Sequence, residues 1–436
     1  QVRDAMGEGA VATVEELLAT LHAADIADLL EALSREERQI LIDIHRPHLE
    51  GEVLTYLAPA VREEVIEHIG AAKLARLLSE LESDDAVEVF EDLNEEFQHR
   101  ILAALPDAYR HFLREGISYP EHSAGRLMQR EVVAIPSAWT VGETIDFMRS
   151  NEDLPNDFYD IYVVTPKHKP LGKIPVSRVL RTRRPVKVTE VMETDIKAVP
   201  VTKDQEEVAY LFRQYGLVSV PVVDDAGRLV GAVTVDDAVD VIDEEAEDDL
   251  LKLGGVSETD LYSAAIDTTK SRFSWLVVNL VTAVLASVVI GLFEGTIESI
   301  VALAVLMPIV ASMGGNAGTQ TLTVAVRALA MKDLSAANAA RFIGKELIVG
   351  SFNGVAFAIL VGLVAWVWFG QPAIGAVIAV AMVINMIVAG LTGTLVPLGL
   401  ERLKIDPAVA SGVFLTTVTD VVGFFAFLGL AAAFLL

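Results

Sequence analysis

The spacing of hydrophobic residues changes several times along the chain, and each change predicts a different kind of structure. Over residues 1–120, leucines pair at i and i+3 or i+4 in short segments at 23–33, 51–57, 71–81 and 83–93. This spacing predicts stacked amphipathic helices, and Ser34-Arg-Glu-Glu37 has the form of a capping box. We therefore expect an all-α N-terminal domain of superhelical form over 1–120.

Residues 121–243 alternate short runs rich in β-branched residues with helical runs. The strand candidates lie at 132–135, 160–164, 171–174, 198–201, 218–223 and 229–235. The order strand–helix–strand–turn–strand–helix occurs twice, in 126–183 and in 188–243. In the second copy, Val-Pro-Val-Val-Asp-Asp-Ala-Gly-Arg-Leu-Val-Gly-Ala-Val-Thr-Val-Asp-Asp (220–237) resembles a CBS domain, a regulatory module that occurs in pairs. The resemblance implies an α+β tandem CBS pair.

The two copies differ at a turn that CBS domains often use to hold a nucleotide ribose. The second copy has Thr234 and Asp237 there, whereas the first copy has Pro175 and Arg178. Because proline and arginine replace the hydroxyl and the carboxylate, the first copy departs from the nucleotide-binding pattern. An adenine nucleotide such as ATP would favour the second copy, and a purely structural pair is the alternative.

A dense run of carboxylates follows the second copy. At 236–249, nine of the fourteen residues are aspartate or glutamate, in a segment that otherwise has helical spacing. Like charges one helical turn apart repel, so such a helix is destabilised by its own charge unless cations neutralise it. A hard divalent ion, bound by oxygen ligands with retained waters, would suit it. We expect an acidic connecting helix over 244–271 that senses cations, with a solvated face as the alternative.

Five apolar spans complete the chain, each near the roughly 20 residues that a helix needs to cross a bilayer. They lie at 273–293, 299–326, 342–369, 373–400 and 408–435 and predict a five-span α-helical transmembrane domain over 272–436. Lysine and arginine lie before the first span, between the second and third, and between the fourth and fifth. By the positive-inside rule, the N-terminal domains are cytoplasmic and the C-terminus is outside.

Composition narrows the classes of function. The formal net charge is −27, and the acidic excess precedes the apolar spans, so we expect no nucleic-acid partner, whose binding surface would be basic. The chain has no cysteine, which excludes disulfides, iron–sulfur clusters and thiolate metal sites.

One ionisable residue, Asp420, lies well inside the apolar length of a span, and Thr416, Thr417 and Thr419 precede it. A carboxylate at such a depth is costly and indicates function, a hydrogen-bonded structural aspartate being the alternative. Flanking hydroxyls suit a hydrated cation. An intramembrane aspartyl protease would need a second membrane aspartate, so we expect no enzyme.

The second span contains Met-Pro-Ile-Val-Ala-Ser-Met-Gly-Gly-Asn-Ala-Gly-Thr-Gln (307–320). Three glycines so close together favour either a close helix crossing or the lining of a water-filled path. Asn316 favours the path, because an amide that faces lipid would stay unsatisfied.

These marks together resemble the MgtE family of magnesium channels and transporters, over essentially the whole chain. The segments that carry the resemblance are Glu-His-Ser-Ala-Gly-Arg-Leu-Met (121–128), Met-Pro-Ile-Val-Ala-Ser-Met-Gly-Gly-Asn-Ala-Gly (307–318), Asn385 with Gly-Thr-Leu-Val-Pro (393–397), Asp-Pro-Ala (406–408) and Thr-Thr-Val-Thr-Asp (416–420).

The resemblance implies a homodimer in a bacterial-type inner membrane, with a Mg²⁺-selective pore lined by the second and fifth spans. It implies that Asp420 holds a largely hydrated Mg²⁺, assisted by residues that are expected to line the pore: Thr416, Thr417, Gly314, Gly315, Asn316 and Gly318. Selectivity against other divalent cations stays open, because the pore is built from generic oxygen donors.

The resemblance also implies that cytosolic Mg²⁺ closes the pore by bridging acidic faces of the soluble domains. The implied regulatory ligands are Asp84, Asp85, Asp236, Asp240, Glu244, Glu247 and Asp248, and Asp406 is implied as a ligand at the pore mouth. Some relatives bind ATP in the second CBS copy. The alternatives are an ion-coupled secondary carrier of divalent cations and a membrane-anchored CBS sensor that conducts nothing.

Overall fold

In the computed structural model, which describes residues 1–155, 157–256 and 265–436, the chain divides into two units. The first is Gln1–Glu245 and the second is Ala246–Leu436. Each is described separately below.

The described part of residues 1–120 is helical, as the leucine spacing predicts. Its helices are α1 Val2–Gly7, α2 Val11–Leu18, α3 Ala23–Ala32, α4 Arg35–His45, α5 Glu52–Thr55, α6 Pro59–Ile69, α7 Ala71–Leu78, α8 Ser83–Glu91, α9 Glu95–Ala104 and α10 Asp107–Gly116. Their apolar faces form one shared core that includes Leu54, Leu74 and Phe90. The expected capping box of α4 is confirmed, since the Ser34 N–H donates to Glu37 Oε2 at 3.0 Å.

Each of the six predicted strands overlaps a strand of the structure. Helix α11 (Ala124–Leu127) leads into β1 Ala134–Pro136, α12 Val141–Ser150, β2 Asp160–Val164, β3 Pro170–Pro175 and α13 Val176–Arg181. The second copy comprises α14 Val188–Val191, β4 Val199–Pro200, α15 Gln205–Tyr215, β5 Ser219–Val223 and β6 Leu229–Thr234.

The two copies have the same topology. In each, the first strand is parallel to the second, and the second is antiparallel to the third. Gly172 pairs with Val163 and Gly231 with Val222, so Pro175 and Arg178 of the first copy occupy the places of Thr234 and Asp237. The tandem arrangement is therefore confirmed, including the difference at the expected nucleotide turn.

Helix α16 runs from Val235 to Leu253 and carries the carboxylate run. It begins nearer the N-terminus than expected and belongs in part to each unit. Part of the expected connecting segment, 257–264, lies outside the described residues. The expected domain boundaries, 1–120, 121–243, 244–271 and 272–436, stay predictions.

The expected five spans are confirmed, because five helices are long and apolar enough to cross a bilayer. The membrane unit contains α17 Ala265–Gly291, α18 Glu294–Ser299, α19 Ala302–Ala330, α20 Ala339–Phe369, α21 Pro372–Arg402 and α22 Pro407–Phe434. Helices α20 and α21 pack closely through glycine: a Cβ added at Gly350 or Gly362 would lie 2.9 Å from a backbone oxygen of α21. Small residues of this kind let membrane helices approach each other.

Candidate functional site

The glycine-rich segment of the second span lies in the middle of α19 and is continuous helix. Gly314 and Gly318 are buried, and a Cβ added at Gly318 would lie 3.0 Å from Cγ of Leu415 in α22. These two glycines therefore mark a close helix crossing, and their expected place in the pore lining stays a prediction. Gly315 points away from this contact, since no heavy atom lies within 4 Å of a Cβ built there.

The opposite face of α19 carries a polar stripe, which we define as Ser312, Asn316, Thr319 and Thr323. All four are exposed in the single chain. Their spacing of three or four residues places them on one side of the helix. Exposed polar groups in an apolar span require water or a polar partner. The stripe is therefore the side of α19 suited to a hydrated path.

Asp420 lies in α22 at the same depth as the glycines of α19. Gly318 meets Leu415, whereas Gly314 and Gly423 both contact the side chain of Asn385 in α21. These contacts show that α19 and α22 are antiparallel, and they place Asp420 level with residues 314–318.

The carboxylate of Asp420 is partly exposed, and it makes no hydrogen bond or ion pair within the described residues. The hydroxyl of Thr417 donates to the carbonyl of Val413 at 2.7 Å, and that of Thr419 to the carbonyl of Leu415 at 3.0 Å. The alternative of an aspartate held by neighbouring hydroxyls is therefore not what the structure shows.

The threonine hydroxyl protons near Asp420, and one of the two amide protons of Asn316, are already used inside their own helices. The Thr416 hydroxyl donates to the Gly412 carbonyl at 2.9 Å, and the Thr319 hydroxyl donates to the Gly315 carbonyl at 2.9 Å. The Asn316 amide nitrogen donates to Ser312 Oγ at 3.3 Å. Such back-bonding leaves oxygen lone pairs as the groups that face outward. Oxygen acceptors beside an unpaired carboxylate favour a cation with its water shell over an anion.

Sequence reasoning misses a second carboxylate in this unit, Glu346. It lies about two turns into α20 and is 8% exposed. Its Oε2 accepts a hydrogen bond from the Thr321 hydroxyl of α19 at 3.0 Å. Its position inside the predicted third span could have identified it from the sequence. The neighbouring Arg341 and Lys345 instead suggest that Glu346 lies at the charged end of that span.

In the first unit, carboxylates of α8 and α16 form an acidic cluster, which we define as Asp84, Asp85, Asp236, Asp237 and Asp240. Asp84 is 8% exposed, although aspartate is rarely buried without a basic partner. None of the five forms an ion pair with a lysine, arginine or histidine in the described part of the chain. The structure thus brings four expected regulatory ligands, Asp84, Asp85, Asp236 and Asp240, near one another.

The pKa values in the acidic cluster are raised. Burial raises the pKa of Asp85 to about 7, and the Glu88 and Asp237 carboxylates add to this effect. Burial also raises the pKa of Asp237 to about 7, although a hydrogen bond from Thr234 opposes the change. The pKa of Asp84 is raised well above its usual range by burial and by the nearby Asp237. Each shift means that the ionised carboxylates are destabilised in this compact arrangement.

The remaining expected ligands lie farther along α16 or in the membrane unit. Lys252 forms ion pairs with Asp248 and with Asp406, and its Nζ lies 2.8 Å from Asp406 Oδ2. We call these three residues the lysine cluster. Burial lowers the pKa of Lys252, but hydrogen bonds with both carboxylates outweigh it and raise the pKa above its usual value. Asp406 Oδ1 also accepts from the Ala408 N–H at 2.8 Å and so caps α22.

The C-terminal end of α16 packs against both helices of the candidate path. Leu253 contacts a small apolar group formed by Leu322 and Val326 of α19 with Ala408 and Leu415 of α22. Glu244 and Glu247 are exposed and lie on the part of α16 before this contact. Within the described ranges, no three histidine, aspartate or glutamate side chains converge closely enough to hold a metal ion directly.

Thr234 and Asp237, the residues expected at the nucleotide turn, are brought together. The Thr234 hydroxyl donates to Asp237 Oδ2 at 2.5 Å, and the Thr234 N–H donates to the same oxygen at 3.2 Å. In the first copy, Arg178 is paired with Glu193 at 2.7 Å. Only the second copy therefore combines a hydroxyl and a carboxylate at this turn.

Comparisons with known proteins agree with this arrangement. Residues 307–430 match a family model described as a divalent cation transporter, residues 21–122 match the MgtE intracellular N domain, and residues 188–244 match the CBS domain. The five apolar helices and these matches define a multi-pass membrane protein with a soluble, CBS-containing part.

Relatives and a solved structure specify the family. The chain is 33% identical over 437 residues to the magnesium transporter MgtE of Thermus thermophilus, covering 99% of this chain and 97% of that protein. It is 30% identical to the MgtE of Bacillus subtilis, covering 85% and 82% of the two chains. The cytosolic domain of the Mg²⁺ channel MgtE in complex with ATP superposes with a TM-score of 0.51 at 30% identity, covering 55% of this chain and 98% of that one. The chain belongs to the MgtE family.

Proposed function

We propose that the protein is a Mg²⁺-selective channel of the inner membrane, closed when cytosolic Mg²⁺ binds its soluble part, and that it is a transporter and not an enzyme. The observation that carries the proposal is the unpaired carboxylate of Asp420, level with the glycine-rich segment of α19 inside an apolar span. The names of the relatives, magnesium transporters, support Mg²⁺ as the transported ion.

The chemistry of the candidate path suits hydrated Mg²⁺. Mg²⁺ sheds its water reluctantly and usually keeps several waters when it binds protein. The outward-facing oxygens of Thr416, Thr417 and Asn316 would accept hydrogen bonds from those waters, and Asp420 would supply the charge. The same groups would admit other hydrated divalent cations, with a preference set by the width of the path.

A homodimer would complete the path. The polar stripe and Thr416 are exposed in a single chain, and Asp420 is partly exposed. Polar surface of this kind is unstable against lipid, so a second copy is the partner that would cover it. Around a two-fold axis, each chain would contribute the same face and one Asp420 carboxylate.

The acidic cluster would act as the Mg²⁺ sensor. Asp84 is buried and Asp85 and Asp237 are partly buried, all without a basic partner in the described residues, so cations that bind only this compact arrangement would stabilise it. Because no three metal-ligating side chains converge in the part of the chain that the structure describes, the sensor would bind Mg²⁺ through its water shell or after small movements. Asp236 and Asp240 lie at its exposed edge. Glu244, Glu247 and Asp248 would extend the regulation along α16, and Asp406 would extend it to the start of α22.

Orientation and nucleotide binding complete the proposal. The positions of lysine and arginine support cytoplasmic N-terminal domains and a C-terminus outside. The Thr234–Asp237 pair supports binding of ATP in the second CBS copy, and a similar cytosolic domain was solved in complex with ATP.

Single-channel recording of the purified full chain in a bilayer tests the pore. The change Asp420→Asn keeps the shape of the side chain and removes its charge. We expect Mg²⁺ current to fall by about tenfold or more, because each subunit loses the charge that attracts the hydrated ion, and a loss of about 1.4 kcal/mol in ion binding is a factor of ten. The matched control is Glu298→Gln, which removes an exposed carboxylate from α18. Unchanged Mg²⁺ current in Asp420→Asn would show that the pore is elsewhere; flux without discrete openings in the unmodified protein would favour a carrier.

A further inference from the structure

Asn385 lies near the middle of α21, which is the most buried of the spanning helices. Its side chain is fully buried, at 0% exposure. The amide Nδ2 donates to the Val310 carbonyl of α19 at 2.8 Å. The carbonyl Oδ1 has no hydrogen-bond partner in the described part of the chain. An unsatisfied polar atom at this depth is costly, so an apolar side chain of equal size would serve packing alone better.

The carboxamide of Asn385 occupies the gap between α19 and α22, and glycine faces it on both sides. A Cβ added at Gly423 of α22 would lie 2.8 Å from Nδ2 and 3.3 Å from Oδ1. A Cβ added at Gly314 of α19 would overlap Nδ2 and lie 3.0 Å from Oδ1. Each pore-lining helix therefore approaches the amide as closely as a backbone without a side chain allows.

We propose that Asn385 is a positioning residue that sets the separation of the two pore-lining helices at the depth of Asp420. The inference rests on the proposed pore, and it identifies Asn385 as a residue that determines the width of that pore. Gly423 lies one turn beyond Asp420 on α22, and Gly314 lies beside Gly315 and Asn316 on α19. A displacement of either glycine would therefore move the groups that face the ion.

The hydrogen bond from Nδ2 to Val310 explains why the spacer is an amide. It fixes the rotation of the side chain, so that the carboxamide keeps one orientation between the two glycines. A buried polar group of this kind specifies one arrangement of helices among several that apolar packing would permit. A hydrated ion is wide, so its preference over a competitor depends on this separation.

The proposal is tested in the full chain by adding volume on one side of the contact between Gly423 and Asn385 and removing volume on the other side. Gly423→Ala adds a methyl group to the gap, Asn385→Ala removes the carboxamide, and the double variant combines both changes. The control is Gly429→Ala in the same helix, where a Cβ would lie 3.8 Å from the nearest side-chain atom. The readout is the ratio of Mg²⁺ to Ca²⁺ conductance in bilayers, with dimer content measured by light scattering.

We expect Gly423→Ala to change the Mg²⁺ to Ca²⁺ ratio by about tenfold, because the added methyl group overpacks the contact with Asn385 and shifts α22 beside Asp420. Asn385→Ala should change the ratio too, the double variant should return towards the unmodified value, and Gly429→Ala should keep it. A structural role alone would alter protein yield or dimer content without moving the ratio.

Two results would overturn the proposal: an unchanged ratio in Asn385→Ala, or failure of Asn385→Ala to restore the ratio of Gly423→Ala. If Gly423→Ala does not fold or form dimers, the Mg²⁺ to Ca²⁺ ratio of Asn385→Ala alone tests the proposal, because this variant adds no volume to the contact. The proposed pore itself fails if Asp420→Asn conducts Mg²⁺ normally or if the unmodified protein shows no discrete openings, and both outcomes differ from those above.

Discussion

Two groups of carboxylates, one in each unit, differ in how their negative charge is balanced. In the acidic cluster, Asp84, Asp85 and Asp237 are packed together without a basic partner in the described residues, and their pKa values are raised. In the lysine cluster, Asp248 and Asp406 share the ammonium group of Lys252. The first arrangement has no cation of its own among the described residues, whereas the second contains Lys252.

The difference suggests two kinds of contribution to closure. Mg²⁺ would stabilise the acidic cluster in proportion to its concentration, because the ion binds one arrangement in preference to the others. The lysine cluster would hold the end of α16 near α19 and α22 at any concentration, since Lys252 is always present. The acidic cluster would set how the open probability responds to Mg²⁺, and the lysine cluster would set the open probability without Mg²⁺.

The largest expected effect comes from neutralising the acidic cluster. The double change Asp84→Asn and Asp237→Asn removes buried charge, so the cation-free protein should melt about 5 °C higher. The stabilisation that Mg²⁺ adds should fall by more than half. The measurement is thermal unfolding of the full chain in detergent, with and without Mg²⁺. The control is Glu16→Gln with Glu63→Gln, two exposed carboxylates. Full Mg²⁺ stabilisation in the double variant would contradict the sensor assignment.

A smaller effect is expected from Lys252→Gln, which removes the built-in cation and leaves Asp248 and Asp406 facing each other. The pair with Asp406 is about one-third exposed, with side-chain exposures of 31% and 37%. Its loss should therefore cost about 1 kcal/mol and raise the open probability at zero Mg²⁺ about fivefold.

Closure of the Lys252→Gln variant should then depend more steeply on Mg²⁺, because the two carboxylates become available to the ion. Lys252→Arg keeps the charge and should keep the low baseline. An unchanged open probability in Lys252→Gln at zero Mg²⁺ would remove the lysine cluster from the mechanism.

A further expected effect is that of pH on the stability of the Mg²⁺-free protein. The folded pKa of Asp85 and of Asp237 is about 7, above the ordinary value of 3.8. Between these values the folded state binds more protons than the unfolded state, so stability should fall as the pH rises and level off above about 7. Melting curves from about pH 5.5 to 8 check this slope. Mg²⁺ should flatten it, and an opposite slope would contradict the raised pKa values.

Much of the architecture could be predicted from sequence, because it follows from local spacing. The five spans and six strands lie where apolar length and β-branched runs place them. Asp420 is notable because a carboxylate inside an apolar span is visible along the chain, whereas Thr234 and Asp237 are identified through the resemblance to CBS domains. The family marks and the full-length likeness to relatives agree with these predictions.

Contacts between distant residues could not be predicted in this way. Nothing local indicates that Lys252 pairs with Asp406, which lies 154 positions away. The burial of Gly314 and Gly318 depends on where Asn385 and Leu415 sit on other helices, so the glycines alone leave two interpretations open. Glu346 escapes notice for the same reason, since its partner Thr321 belongs to another span.

The most direct test of the account is a titration of Mg²⁺ on the cytosolic face during single-channel recording. The unmodified protein is compared with the double variant Asp84→Asn and Asp237→Asn in the same bilayer. The account predicts discrete openings that disappear as cytosolic Mg²⁺ rises through the millimolar range, and openings of the variant that persist over that range. Openings that are insensitive to cytosolic Mg²⁺, or that close equally in both proteins, would contradict it.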